Sequence, residues 1–258
     1  MLSLLQAAYP YTDRFRGIRI STRPDAVDEE ILSLLKKYNV SSIELGAQSM
    51  SDEVLFSNER GHSSDDVRTA SKLIQDYGFE LGLQMMTGLY RSTPELDRYT
   101  AQQFVGLCPS TVRIYPTIVM KHTRLEELYR QGEYTPQTLE DSVSLCAELL
   151  DLFRENGVKV IRVGLHHTDS LDTDRVAGPY HPSFRELCES ERLYNILIKK
   201  YKTDHTDELS VAVSPRDISK LIGNKKKNIE RLTRYGLYLH IIQDPSVAEG
   251  QIEFLNER

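Results

Sequence analysis

The chain has 258 residues, is 40 % hydrophobic and carries a formal net charge of −6 with a pI near 5.7. That is apolar material enough for a sizeable core, in one large domain or one large and one small. The charge excludes a protein coated in positive charge for nucleic acid but leaves room for a local basic patch. No run approaches 18 apolar residues, and MLSLLQAAYPYTDRF lacks the basic start and long apolar stretch of a signal peptide, so the chain reads as cytoplasmic.

In chain order, LSLLQAAYPYTDRF predicts a helix with no strand before it. IRISTR then predicts a short strand closed by Pro24, which cannot donate to a ladder. PDAVDEEILSLLKKYNV places Ile31, Leu34, Leu35 and Tyr38 on one helical face, with acids in the first turn and lysines in the last. SIELGAQS is the next strand, and Ser64–Tyr77 the next helix, stopped by Gly78. FELGLQMM predicts a strand, 94–105 a helix and TVRIYPTIV another strand. A long helix capped at Thr135-Pro136 follows, with Leu139, Val143, Cys146, Ala147 and Leu150 on one stripe, and VKVIRVGL closes the series.

Strands alternating with helices predict an α/β fold with a parallel sheet and right-handed crossovers, doubly wound or curled into a full or partial barrel. In either form the C-terminal strand ends make the functional rim. Ser21, Thr22 and Arg23, then Glu44, Gln48 and Ser49, then Gln84 are polar residues at that edge of three successive strands. Because the alternation starts on a helix, either the first strand lies at a sheet edge or a βαβ segment is missing.

Cys108, Cys146 and Cys188 form no C-x-x-C pair and read as reduced core or near-core thiols. The adjacent His166 and His167, with His181, lack the i, i+4 spacing that puts two imidazoles on one helix face, so they do not predict a zinc site. After Asp204 the pattern changes: ELSVAV, SPRDISKLIG, NKKKNIERLTRYG, LYLHII and GQIEFL predict a compact β-α-α-β-β module. Domains are therefore expected at 1–200 and 205–258. Lys225, Lys226, Lys227, Arg231 and Arg234 make a basic stretch in an acidic protein, either a solvated helix face or an RNA contact. IGNKKKNI resembles the I-G-x-x-G-x-x-I loop of KH domains, which grips a nucleic-acid backbone, although Lys226 replaces its second glycine.

The successive runs GIRISTRPDAVDEEIL, IELGAQSMSDEVL, RGH, GFELGLQMMTGL, VRIYPTIVMKHTRLEELYRQGEY and VAGPYHPSFRELCES resemble the radical S-adenosylmethionine superfamily. Within it they are most similar to bacterial proteins related to the Elongator catalytic subunit and grouped with oxygen-independent coproporphyrinogen oxidase-like proteins. The resemblance covers residues 1 to 195 and implies a partial (β/α)6 barrel, here without its first two strands. It also implies a 4Fe-4S cluster and S-adenosylmethionine, the cluster cleaving the sulfonium to a 5′-deoxyadenosyl radical that abstracts hydrogen from a substrate. The family's C-x-x-x-C-x-x-C loop and its following Gly-rich stretch are not in this sequence, and Cys108, Cys146 and Cys188 do not replace a single short ligand loop.

By the same resemblance Gln48 falls near the cofactor ribose and Arg60 opposite its carboxylate. Ser21 stands where many relatives carry a glutamate. Glu44 would line the barrel interior, where an unpaired carboxylate is costly, so Arg19 or Arg113 is expected beside it. Gln84 and Tyr115 would complete the pocket floor.

Two readings follow. In one, the chain is the C-terminal part of a radical S-adenosylmethionine enzyme acting on tRNA or another RNA, its cluster supplied by an N-terminal segment or by a separate chain. In the other, it is a non-enzymatic degenerate barrel that binds RNA or protein and has no affinity for S-adenosylmethionine.

Overall fold

Four of the predicted helices begin where a short polar side chain takes up a free backbone N–H, at Asp28, Ser63, Thr93 and Thr138, in the computed structural model of the protein, which describes residues 1–255. Helix α1 (Leu2–Ala8) gives way at Pro10 to a tighter 3-10 segment, so the first predicted helix is half the expected length. Strand β1 (Ile18–Thr22) leads to α2 (Glu29–Lys37), where Asp28 Oδ1 accepts from Ile31 N at 2.7 Å. Strand β2 (Val40–Gln48) is followed by a short helix absent from the sequence reading, α3 (Asp52–Ser57). Helix α4 (Ser64–Asp76) opens on a reciprocal capping box between Ser63 and Asp66.

Strand β3 (Glu80–Thr87) and α5 (Pro94–Gly106) come next. The predicted strand over 111–119 is broken: β4 (Thr111–Pro116) stops at a residue that cannot donate, and Val119–Met120 forms a separate strand, β5. Helix α6 (Arg124–Arg130) was not expected. Helix α7 (Leu139–Glu155) is capped by Thr138, whose hydroxyl accepts from Asp141 N at 3.1 Å, and not by Thr135-Pro136. Strand β6 (Lys159–Val163), helix α8 (Asp169–Asp174) and β7 (Arg175–Ala177) follow, with β5 and β7 paired antiparallel.

The main sheet is parallel throughout, in the order β1-β2-β3-β4-β6. One face carries Ile43, Leu45, Leu81, Leu83, Val112 and Ile114, all buried. The register sets Ser21 beside Glu44, Glu44 beside Gly82, Gln84 beside Arg113 and Met86 beside Tyr115, so the opposite face is largely polar.

The C-terminal elements are α9 (Phe184–Asp204), β8 (Glu208–Val213), α10 (Ile218–Ile222), α11 (Lys227–Arg234), β9 (Tyr238–Gln243) and β10 (Ile252–Leu255). From β8 onward the order is β-α-α-β-β; β8 pairs parallel with β9 and antiparallel with β10. Leu193, Leu197, Val211, Leu221, Leu232 and Leu237 form the core between this sheet and its helices. Contacts divide the chain into a first unit, 1–142 with 152–180, and a second, 143–151 with 181–258. The expected break near 200–205 falls elsewhere because α9 packs on α10 and α11 and belongs with the C-terminal sheet. Among the described residues no helix is long and apolar enough to cross a membrane.

Candidate functional site

The polar end of β2 separates into residues with partners and residues without. Its register slips between Leu45 and Gln48, and Gln48 has a left-handed backbone, φ +64°. That turn folds the side chain back over Gly46, where a Cβ would lie 3.0 Å from Gln48 Nε2. Ser49 is committed to structure: its hydroxyl lies 3.3 Å from Thr100 Oγ1 and accepts from Ser51 N at 3.1 Å. Gln48 is 8 % exposed, yet its Oε1 has no partner among the described residues. A buried amide oxygen left unpaired costs about 1–3 kcal/mol, the signature of a group kept for something else.

Beyond α3, Gly61 has φ +70°, and a Cβ there would meet Arg23 Nη2 at 2.8 Å. Arg23 grips Asp25 through Nε at 2.9 Å and Nη2 at 2.7 Å. Arg60 has no ion-pair partner among the described residues, and its buried Nε is unbonded. Burial first, and the charge of Arg23 second, lower the Arg60 guanidinium from its ordinary value, so the site is one where an added anion is welcome. His62, to which the sequence reading gave no role, is buried; its Nε2–H donates to Ala47 O at 3.1 Å, and Nδ1 faces no partner among the described residues. The only sequence signal for it was its place directly after Arg60-Gly61.

The polar sheet face holds a second, saturated cluster. Glu44 is fully buried, with Arg19 Nη2 2.7 Å from Oε2 and Arg113 Nε 3.0 Å from Oε1. Oε2 and Arg113 Nε lie off a hydrogen-bond line, so the attraction is coulombic there. Gln84 Nε2 donates to Glu44 Oε1 over a short contact. Arg113 Nη1 donates to the Tyr115 hydroxyl at 3.2 Å; that bond, ahead of the Glu44 charge, raises the Arg113 guanidinium above its ordinary value. Arg19 also reaches across two strands to Thr111 Oγ1, 2.8 Å away, over the flat surface left by Gly82. Both partners expected for Glu44 are present, and Glu44, Gln84 and Tyr115 meet in one network. Ser21 is exposed on β1, in register with Glu44.

The groups of this arrangement suit S-adenosylmethionine: a guanidinium without a counter-ion among the described residues to donate to its carboxylate, and a buried amide oxygen to accept from a hydroxyl or amine. They do not suit an iron–sulfur cluster. Cys146 and Cys188 are buried in the second unit, and burial, then the neighbouring Cys146, pushes the Cys188 thiol far up, away from the thiolate iron requires. Cys108, in the first unit, is exposed on a left-handed turn after α5, contrary to the core or near-core position expected of it. Among the described residues no three of His, Cys, Asp or Glu cluster as metal ligands. His167 lies 3.2 Å from the Tyr180 hydroxyl, and His181 Nδ1 accepts from Ser183 N at 3.1 Å.

In the second unit Lys225 and Lys226 adopt left-handed backbones, φ +51° and +64°, and with Lys227 are exposed. The loop is anchored by Asn228, which is buried and donates to Ser190 O, Ser190 Oγ and Leu221 O at 3.0–3.2 Å. Arg231 is occupied otherwise: it clamps Glu191 through both terminal nitrogens and lies 3.5 Å over the Tyr194 ring. Arg234 is exposed on the last turn of α11.

Residues 2–99 match the model of the Radical SAM superfamily, and residues 109–193 match that of the Radical SAM C-terminal domain. Together these take in well over half the chain. The chain is 32 % identical over 136 residues to a tRNA uridine(34) acetyltransferase of Dehalococcoides mccartyi, covering 52 % of this chain and 30 % of that protein. It is 33 % identical over 139 residues to Elongator complex protein 3 of Homo sapiens, covering 53 % of this chain and 25 % of that one. Among solved structures, the archaeal Methanocaldococcus infernus Elp3 with N-terminus deletion (1-46) superimposes with a TM-score of 0.62 at 28 % identity, over 71 % of this chain and 42 % of that chain. The chain thus spans well under two thirds of the length of the relatives it matches.

Proposed function

Because the chain belongs to the radical SAM superfamily, we propose that it is the S-adenosylmethionine-holding part of an enzyme that acts on tRNA. The observation that carries the reading is an unpartnered Gln48 amide oxygen at the end of β2 together with an uncompensated Arg60 two residues before His62, which bonds back to Ala47 O on that strand. Relatives named for tRNA uridine chemistry support the substrate class. In this reading Arg60 takes the cofactor carboxylate through charge-assisted hydrogen bonds, and Gln48 Oε1 accepts from a cofactor hydroxyl or amine. Ser21 adds a neutral hydroxyl at the neighbouring strand end. Glu44, Gln84 and Tyr115 line the floor, where the two arginines hold the carboxylate in place. When bound with a reduced 4Fe-4S cluster, S-adenosylmethionine supplies a radical able to take a hydrogen atom from substrate.

The cluster's thiolates come, on this proposal, from polypeptide outside these 258 residues, in the same protein or in a separate chain. Lys225, Lys226, Lys227 and Arg234 would meet RNA phosphate on a KH-like surface, with Arg231 bracing α11. The rival reading, a binding module without radical chemistry, is favoured by one observation, the lack of a three-thiolate group among the described residues.

Equilibrium dialysis of the chain against labelled S-adenosylmethionine separates the two. Measurable affinity, falling about 10–100-fold in Arg60→Ala as expected for a charged hydrogen bond, supports the enzyme reading. No affinity supports the binding module, and affinity indifferent to Arg60 removes Arg60 from the cofactor site.

A further inference from the structure

The second unit contains a cavity of about 500 Å³ that neither the cofactor site nor the sequence reading accounts for. It opens between the start of α9, helix α10 and the Gly223–Lys226 loop. Its lining carries Lys225 and Lys226 against a single acid, Glu186, in a chain whose net charge is −6, while a third lysine there, Lys220, is paired with Asp217 Oδ1 at 2.6 Å. Two of those lysines hold left-handed backbones, each costing about 1–2 kcal/mol, and such strain gathers at functional sites.

Two further donors face the same space. His181 Nδ1 is spent accepting from Ser183 N, which leaves Nε2–H to donate. Ser190, 8 % exposed, accepts from Asn228 through Oγ, which leaves its own proton to donate. Leu187 and Ile222 supply an apolar wall. Cations at a loop mouth, neutral donors deeper in and an apolar surface beside them match a phosphate, a ribose and a base. The volume lies in the range of small-molecule sites and suits one nucleotide.

We propose that this cavity takes one unpaired nucleotide of an RNA strand, its phosphate on Lys225 and Lys226 and its ribose and base against His181, Ser190, Leu187 and Ile222. The inference rests on the RNA reading above and deepens it: single-stranded RNA is read one nucleotide at a time in a pocket, and is not merely attracted to a basic surface. A free nucleoside monophosphate offers the same chemistry, so the two sources are tested together.

The test is fluorescence anisotropy of the full chain with a labelled 12-nucleotide uridine-rich RNA, with uridine monophosphate as competitor. Ser219→Trp, on the exposed lip of the cavity, and His181→Leu are each expected to weaken RNA binding about tenfold. Lys225→Ala/Lys226→Ala is expected to weaken it further and to flatten its salt dependence. If only the lysine variant loses affinity and the two cavity variants bind within twofold of the parent, the cavity proposal is overturned while the RNA reading stands. If the parent chain binds no RNA at low salt, the RNA reading falls; nucleotide binding in that case assigns the cavity to free nucleotides and overturns the strand proposal. Photo-crosslinking of the unsubstituted chain to 4-thiouridine RNA decides the matter should a variant fail to fold. Crosslinks within 181–190 or 219–226 are expected, and crosslinks only elsewhere refute the assignment.

Discussion

Glu44 and Gln48 lie four residues apart on one strand, both buried and both polar, yet they belong to different classes. Glu44 is surrounded by Arg19, Arg113 and Gln84; Gln48 has an amide oxygen with no hydrogen-bond partner among the described residues. A strand end rich in polar groups is therefore not uniformly functional. What separates the residues is whether the protein itself satisfies them, because a satisfied group stabilises the fold and an unsatisfied one is available to a ligand.

The largest expected effect breaks the saturated side of that contrast. Glu44→Ala leaves two guanidiniums facing each other, and loss of one member of a buried pair costs about 3–5 kcal/mol. Because both arginines are part exposed and can turn toward water, the lower end is expected, read as a fall in the urea midpoint. A loss under about 1 kcal/mol would move Glu44 into the class of Gln48.

A second carboxylate sharpens the comparison by pH. Asp97 is 2 % exposed and accepts from two neutral donors, Gly88 N at 2.9 Å and Ser92 Oγ at 2.6 Å. Burial pushes it up to about 6, against the downward pull of those hydrogen bonds. The folded state then holds this proton where the unfolded chain has released it, so the contribution is present below the unfolded value and lost as pH rises toward 6. That is about 1–3 kcal/mol between pH 4 and 6.5, seen as a declining melting temperature. Asp97→Asn should remove the decline; a decline that persists in the variant would assign it to another group.

The smallest effect falls on Gln48. Gln48→Gly relieves the left-handed backbone and removes the unpaired amide, and the larger chain entropy of glycine offsets part of the gain. Stability should change by less than about 1 kcal/mol, on the favourable side, while affinity for S-adenosylmethionine falls. A marked loss of stability would show that the amide is structural after all.

How much of this could be read in advance follows the same division. The need of Glu44 for Arg19 or Arg113 was legible, since burial cost alone demands a cation. The stripes of α2 and α4 were legible for a similar reason, each being a local pattern. Helix α9 was not read, although it is the longest: Glu189 and Arg192 are buried within its stripe, Arg192 bonding to Glu189, Asp151 and Gly250 O, and such buried charges erase the apolar period. The left-handed Gln48, Cys108, Lys225 and Lys226 were illegible because side-chain type does not announce a positive φ in a residue other than glycine. Lys226 shows the point best, since its left-handed backbone stands where the resemblance called for glycine.

Gly82 carries one more consequence. By leaving β3 bare at that register it lets Arg19 extend from the outermost strand to Thr111, three strands inward. An outer strand is ordinarily held by its backbone ladder on one side and can peel away like the end of a zip. Here the first strand is also tied, through a side chain, to the far side of its neighbour's neighbour, so peeling it open means drawing a guanidinium out of three strands at once. The outermost strand should therefore open together with the three strands it spans, as one cooperative block, and not fray residue by residue.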